Sequence, residues 1–427
     1  MKKHFILTNA VITDGSSYLI PNGFLEVKDE RIAQIGKMEK MEPTQLEEFD
    51  LGGRLVLPGL TNFHHHLYSA LAVGLAPKGK TDSFEKILQN LWWHLDKNHN
   101  EQSIYYSALQ GIIDSVKYGV TTIFDHHASM KYISGSLNTI EKALREIGIK
   151  GVLCYEISDR PGLERIPDQI EENLSFWRSH INDKAIKGML GLHANLTLSD
   201  QTMEQLKTLR PKNCPIHIHC GEAKIDLDFC KDKGFAGPVD RLNHYDLLES
   251  NSFLAHCVNL SDKDYEVLAE LQPVIISNPE SNTNNNVGKM DATKIGRYCL
   301  GTDGMTGNMI GTMRSHFLME HADIANPQDL LFKLPQDIKS RFFTDSGGLS
   351  GGNKADIAVT NYIPVTEINL DNLFYHLMFG EKGQKMFMTI ANGEIIYHNG
   401  EIKKVNERGL RKDIQYAAKK LHRRFNE

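Results

Sequence analysis

No apolar run in this chain of 427 residues comes near the ~20 residues that a membrane-crossing helix needs. The start, Met-Lys-Lys-His-Phe-Ile-Leu-Thr-Asn, holds only Phe5-Ile6-Leu7 where a signal peptide needs a longer apolar core. Cysteine is scarce. The six residues (Cys154, Cys214, Cys220, Cys230, Cys257, Cys299) form no Cys-x-x-Cys pair, which in a chain this long fits reduced thiols and a cytoplasmic location. An excess of basic charge is missing too: 48 Lys and Arg against 54 Asp and Glu give a formal charge of −6, so neither nucleic acid nor an anionic membrane is expected as a partner. There is no internal repeat, and Asn282 to Asn286 is too short to be a low-complexity tract. What is present is ordinary globular composition, 41% hydrophobic and 24% charged with a mean hydropathy of −0.36. The length predicts one large domain with a smaller module.

Eight β-type apolar runs alternate with amphipathic stretches: Thr61 to His66, Thr121 to His127, Val152 to Glu156, Met189 to Ala194, Ile216 to Cys220, Phe253 to Cys257, Val274 to Ser277 and Tyr298 to Thr302. Alternation of this kind predicts βα units, and eight of them an α/β fold, a (β/α)8 TIM-type barrel. The ends of the chain read differently. Short alternating runs between residues 4 and 57 are broken at Asp14-Gly15, Asn22-Gly23 and Gly52-Gly53, and the tail shows similar runs with turns at Asn392-Gly393 and Asn399-Gly400. Residues 1–57 with 345–427 are therefore expected to form a small β domain with a C-terminal helix, about Asn406 to Arg424, beside a barrel of residues 58–344. The stretch from about 76 to 118 is long for a first βα connection and could cover a site at the barrel mouth. Within it, Trp92 and Trp93 share a helical pattern with Leu88, Leu91 and Leu95, which favours packing.

Chemistry-bearing residues stand where four of the runs stop. In His64-His65-His66, strand alternation puts His64 and His66 on one face, able to reach one ion, and turns His65 toward the helices. In the run Ile216 to Cys220, His217 and His219 share a face at different depths. His219 at the mouth is expected as a ligand and His217 as a packed, hydrogen-bonded residue one layer down. Glu222, just beyond, suits proton transfer. His256 can orient a water and an oxyanion, and Asp303 offers a carboxylate ligand that can also take a proton. A divalent ion lowers the pKa of water from about 15.7 to near 7, so this set points to hydrolysis by attack of hydroxide on a carbon bearing nitrogen.

The segments Pro58 to Leu67, His219-Cys220-Gly221-Glu222, Ala255-His256, Asn278-Pro279-Glu280-Ser281-Asn282 and Gly301-Thr302-Asp303-Gly304 resemble, in order and over most of the chain, the amidohydrolase superfamily in its branch of cyclic-amidine deaminases and related chlorohydrolases. The resemblance implies that His64, His66, His219 and Asp303 bind one metal ion, Zn2+ first with Fe2+ as the alternative. It implies that Glu222 shuttles protons and that His256 orients the attacking water, with Asp303 counted among the catalytic groups. Binuclear relatives need a carboxylated lysine at the end of the third or fourth strand. The fourth strand, taken here from Lys187 to Asn195, has its only lysine at the start, so a single metal is expected and His193 becomes a substrate contact. Asp125-His126-His127 also ends a run, and His127 is taken as a second substrate contact. The chain departs from the family at His193-Ala194-Asn195, where relatives commonly carry proline after His-Ala.

The expected function is metal-dependent hydrolysis of a non-peptide C–N bond, deaminating a small purine-like or pyrimidine-like heterocycle. Ring-opening of a cyclic amide and a non-catalytic ligand-binding barrel are the alternatives. A small-molecule substrate is the expected partner, and a homo-oligomer is left open.

Overall fold

A computed structural model describes residues 4–320, 327–344 and 346–427. Parallel strands Leu60–His65, Val120–His127, Lys150–Tyr155 and Ile186–Gly188 form one arc, and Leu190–Ala194, Ile216–Cys220, Phe253–His256, Val274–Ser277 and Cys299–Leu300 form another. Parallel bridges join the arcs at both seams, Ile157 with Leu192 and His65 with Asp303. The eighth strand is short, and the seam there is held by the amides of Thr302 and Asp303, both donating to the His64 carbonyl at 2.9 Å. The fourth run is split at Met189, whose amide turns to the Leu153 carbonyl. The fold is the (β/α)8 barrel that strand and helix alternation predicts.

Helices begin and end where local chemistry dictates. The helix Glu101–Lys117 starts in a reciprocal Asn100–Ser103 cap, and Asp262–Leu271 in a Ser261–Asp264 cap. Ser136–Ile147 ends at Gly148 with φ of 89°. It buries Leu137, Ile140, Ala143, Leu144 and Ile147 along one face.

The inside of the barrel is layered. Phe63, Phe124 and Phe253 fill the lower tier, Phe124 lying 5.0 Å from each of the other two rings. Above Phe124 in strand alternation comes His126, and above His217 comes His219, so chemistry sits on top of packing. Phe63 and His64 are adjacent yet both face inward. The register between Leu60–His65 and Val120–His127 shifts between Asn62 and His65, and such a bulge re-aims a side chain that alternation would turn away.

Strands from both chain ends share one nine-stranded sheet. His4–Thr13 pairs with Leu19–Lys28 and with Leu55–Pro58, which in turn pairs antiparallel with Ile357–Val359 from the tail. Asn392-Gly393 and Asn399-Gly400 make tight turns with both residues at positive φ, as expected. Asn22-Gly23 does not. It lies inside the strand Leu19–Lys28, and the turn falls instead at Asp29-Glu30, with Asp29 at φ of 56°. Gly23 is there for space, since a Cβ would meet the Gly36 carbonyl oxygen, Ile12 and Ile20 at 3.0 Å. The C-terminal helix, Glu407–Asn426, packs on the barrel side: Ile414, Ala417, Leu421 and Phe425 share a core with Tyr68, Leu71 and Leu95. Among the described residues no helix is long and apolar enough to cross a membrane.

Candidate active site and metal centre

His64, His66, His219 and Asp303 converge at the barrel mouth, one ligand-type atom from each lying within 4.8 Å of every other. His219 Nε2 is 3.1 Å from His66 Nε2 and 3.2 Å from His64 Nε2. Asp303 Oδ1 is 2.8 Å from His66 Nε2 and 3.7 Å from His64 Nε2. Bonds of roughly 2.0–2.2 Å to one ion place neighbouring ligand atoms about 3–3.5 Å apart, so these four groups fit a single divalent cation. Asp303 reaches the cluster through a left-handed backbone, φ 52°, a conformation that an aspartate tolerates better than most residues.

The electrostatics suit that cation. Burial holds His64 and His219 well below the usual imidazole range, leaving neutral rings whose lone pairs can coordinate. Burial also opposes charge on His66 and on Asp303, but each is carried past it by the other. His66 is raised to about 10 chiefly by the Asp303 charge, and Asp303 is held well below the carboxylate range by His66 and by hydrogen bonds from His64 and His66. Positive charge is wanted at this point, and an ion would take the place of the His66 proton.

A second tier steadies the ligands. His64 Nδ1 lies 2.9 Å from His217 Nε2, and His66 Nδ1 lies 2.5 Å from the His126 carbonyl oxygen, so these two rings have the far nitrogen engaged and the near one turned to the cluster. His65 points away, its Nδ1 2.8 Å from the Asp303 carbonyl oxygen, and so helps to close the barrel seam.

Beside the cluster, Glu222, His256 and Asp303 form a second convergence. His256, at φ of 75°, directs its Nε2 toward Glu222 Oε2 at 3.7 Å and Asp303 Oδ2 at 4.0 Å; this buried nitrogen has no hydrogen-bond partner. An orphaned buried imidazole nitrogen between two carboxylates leaves a place for a water or a substrate atom. Burial pushes the Glu222 carboxyl up to about 7 against the pull of His256, with the Asp303 charge adding to the rise. A carboxyl there can both accept and return a proton near neutral pH.

One short helix, Pro279–Asn284, with the residue after it holds all three of these groups. Ser281 donates to Asp303 Oδ2, Asn282 Oδ1 lies 2.7 Å from His256 Nδ1, and Asn285 Nδ2 donates to Glu222 Oε1 at 3.2 Å. Sequence reasoning quoted this polar run without assigning it work; its position immediately after the strand Val274–Ser277 was the available signal.

The cavity over the cluster is walled by His193, Glu156, Asp96, Trp92 and Trp93 as well as the site groups. His193 is therefore in the wall, its Nδ1 2.8 Å from Thr197 Oγ1 and its Nε2 3.8 Å from Glu156 Oε2. His127 is not. Its Nε2 bonds Ser129 Oγ at 2.9 Å and its ring packs against Tyr68 and Tyr155, because strand alternation turns His126 inward and so sends His127 toward the helices. The inward member is His126, 3.1 Å from Glu156 Oε1. Trp92 and Trp93, expected as packing, line the cavity: the Trp93 amide donates to the Leu88 carbonyl, a five-residue π-turn that shifts the helical face. Asp96, Glu156 and Arg160 carry no role that the sequence alone assigns. Arg160 is held between Asp96 Oδ2, at 2.7 Å, and Glu156 Oε2, at 3.3 Å, and no local pattern joins Asp96 to an arginine 64 positions on.

A (β/α)8 barrel that gathers histidine and carboxylate side chains at the carboxyl ends of its strands defines the class of metal-dependent barrel hydrolases. The Amidohydrolase family model matches residues 55–396, and the chain belongs to that family. It is 26% identical over 407 residues to a 5-methylthioadenosine/S-adenosylhomocysteine deaminase of Thermococcus sibiricus, covering 92% of this chain and 93% of that one. It is 28% identical over 418 residues to a 5'-deoxyadenosine deaminase of Methanothrix thermoacetophila, covering 93% and 94%. A solved adenosine deaminase from Xanthomonas campestris with bound zinc shares the fold at a TM-score of 0.81 and 14% identity, over 98% of both chains.

Proposed function

We propose that this chain hydrolytically deaminates a small heterocycle, purine-like before pyrimidine-like, with one divalent ion held by His64, His66, His219 and Asp303. The observation that carries the reading is the orphaned His256 Nε2 facing Glu222 and Asp303 beside the ligand cluster. The names of the relatives in Thermococcus and Methanothrix support a purine nucleoside as the first substrate to try. Zn2+ is the preferred ion, as in the Xanthomonas structure, and Fe2+ the alternative. When bound, the ion acts as a Lewis acid and makes hydroxide available at neutral pH.

The chain's own residues do the rest. Asp303, held ionised, accepts a proton from the attacking water. His256, fixed by Asn282, steadies that water and the oxyanion that forms. Glu222, anchored by Asn285, protonates the departing ring substituent so that ammonia leaves. His193 contacts the ring from the wall, with Glu156 behind it. The same reading keeps the substrate a free small molecule in the cytoplasm, independent of nucleic acid and membranes, and treats residues 1–57 with 345–427 as a supporting β domain.

The test is elemental analysis of protein purified without added metal, then an ammonia-release screen over purine bases and nucleosides, pyrimidines and triazines. About one equivalent of zinc or iron and ammonia from a purine-type compound are expected. A new carboxylate without ammonia would replace deamination by ring opening, and metal-free protein with full turnover would end the proposal.

A further inference from the structure

The connection between the first strand and the helix Glu101–Lys117 has two faces. Its inner face supplies Tyr68, Phe84, Leu88, Trp92, Trp93 and Asp96 to the cavity wall. Its outer face lies under the last helix of the chain. Phe425 and Leu421, both fully buried, sit in one apolar cluster with Tyr68, Leu71 and Leu95, against which Leu91 and Trp92 pack. Tyr68 and Trp92 thus belong to the cavity wall and to the contact with the helix at once.

Polar bonds to backbone carbonyls repeat the contact along its length. His422 Nε2 lies 2.7 Å from the Leu71 carbonyl oxygen, and Arg424 Nε donates to the Asn98 carbonyl at 2.8 Å. In return His94 Nε2 lies 2.7 Å from the Phe425 carbonyl oxygen, its ring edge-on to Phe425 at 4.7 Å, and Lys78 Nζ donates to the Asn426 carbonyl at 2.6 Å. The only helical stretch between Phe84 and Asp96 is about three turns long and is broken in its middle by the π-turn Leu88–Trp92, so it is marginal by itself. Its shape has to come from what it packs on.

We infer that the C-terminal helix is a strap that fixes the outer wall of the substrate cavity, with Phe425, His422 and Arg424 as positioning residues for Tyr68, Trp92, Trp93 and Asp96. None of the three touches the metal cluster or the cavity. Loosening the strap therefore weakens substrate binding while leaving metal binding and the barrel unchanged. The link to substrate rests on the proposed function; the strap itself does not.

The experiment uses full-length Phe425→Ala and His422→Gln, with Lys419→Ala on the exposed face of the same helix as control. Hydrogen exchange is read over residues 84–99 and over the strands Val120–His127 and Ile216–Cys220, beside metal content and the KM and kcat for 5'-deoxyadenosine. Exchange over 84–99 should quicken by about tenfold or more in both variants, with the strands and the metal content as in the parent protein. KM should rise by a similar factor with kcat nearly kept. His422→Gln keeps the size of the side chain and serves if Phe425→Ala fails to fold. Unchanged exchange over 84–99, or equal loss in the barrel strands, would overturn the strap, and loosened exchange with an unmoved KM would overturn its link to substrate. If the parent releases no ammonia from any compound screened, the functional reading fails and the exchange result still decides the strap.

Discussion

His217 Nε2 stands 2.9 Å from His64 Nδ1, and this one contact ties the lower imidazole tier to the ligand tier above it. With its Nδ1 engaged there, the His64 ring keeps Nε2 pointed at the cluster. His217→Phe keeps the packing against Phe253 but loses the hydrogen bond. Metal affinity, read by competition with a chromophoric chelator, is expected to fall roughly 10–100-fold.

Glu222→Gln retains the shape and can still pair with Asn285, but it cannot carry a proton. Turnover is expected to drop by about two to four orders of magnitude with metal content unchanged. Ammonia release and elemental analysis on the same sample check both halves, and undiminished turnover would overturn the assigned proton role.

Arg160 is enclosed by Asp96 and Glu156 at the cavity wall, and burial already raises Asp96 to about 6 in its presence. Removing the guanidinium strands the buried Asp96 carboxylate and leaves Glu156 with His126. Arg160→Met should cost about 3–5 kcal/mol in urea unfolding, and adding Asp96→Leu should recover part of the loss. Equal stability of the single variant and the parent would show that the pair carries no net weight.

Beneath the barrel, Lys150 donates to Asp356 at 2.6 Å, and Lys339 lies buried nearby with its amine pulled down to about 8 by burial despite the Asp356 charge. The folded protein sheds this proton at a lower pH than the unfolded chain does. Stability from this group therefore rises as pH increases from about 8 toward 10.5. Lys339→Met leaves the Lys150–Asp356 pair in place and should be more stable than the parent near pH 7, by up to ~3 kcal/mol. The gap should close by about pH 10.5. A pH-independent difference in melting temperature would contradict this account.

Much of the fold was legible because period and punctuation agreed. Eight apolar runs alternating with helical stretches gave the barrel, and the observed Ile216–Cys220 and Val274–Ser277 match the predicted bounds. Asn-Gly at 392 and 399 turned where expected, whereas at 22 the same dipeptide serves a close approach of strands that only tertiary contact could impose. The four ligand-type residues could be found because each follows an apolar run. A His-His pair alone does not say which of His126 and His127 faces inward; counting alternation from Phe124 does. The Asp96–Arg160–Glu156 group and the placement of the last helix rest on contacts between distant segments, which leave no periodic trace.

Leu55–Pro58 finds one of its partners, Ile357–Val359, about three hundred residues further along, after every barrel strand has been made. On a ribosome the first strands must therefore wait, with an edge unpaired, until nearly the whole chain has emerged. A nascent chain stalled inside the barrel would present that edge to its neighbours, so this molecule has reason to depend on chaperones more than a barrel without such a late closing strand.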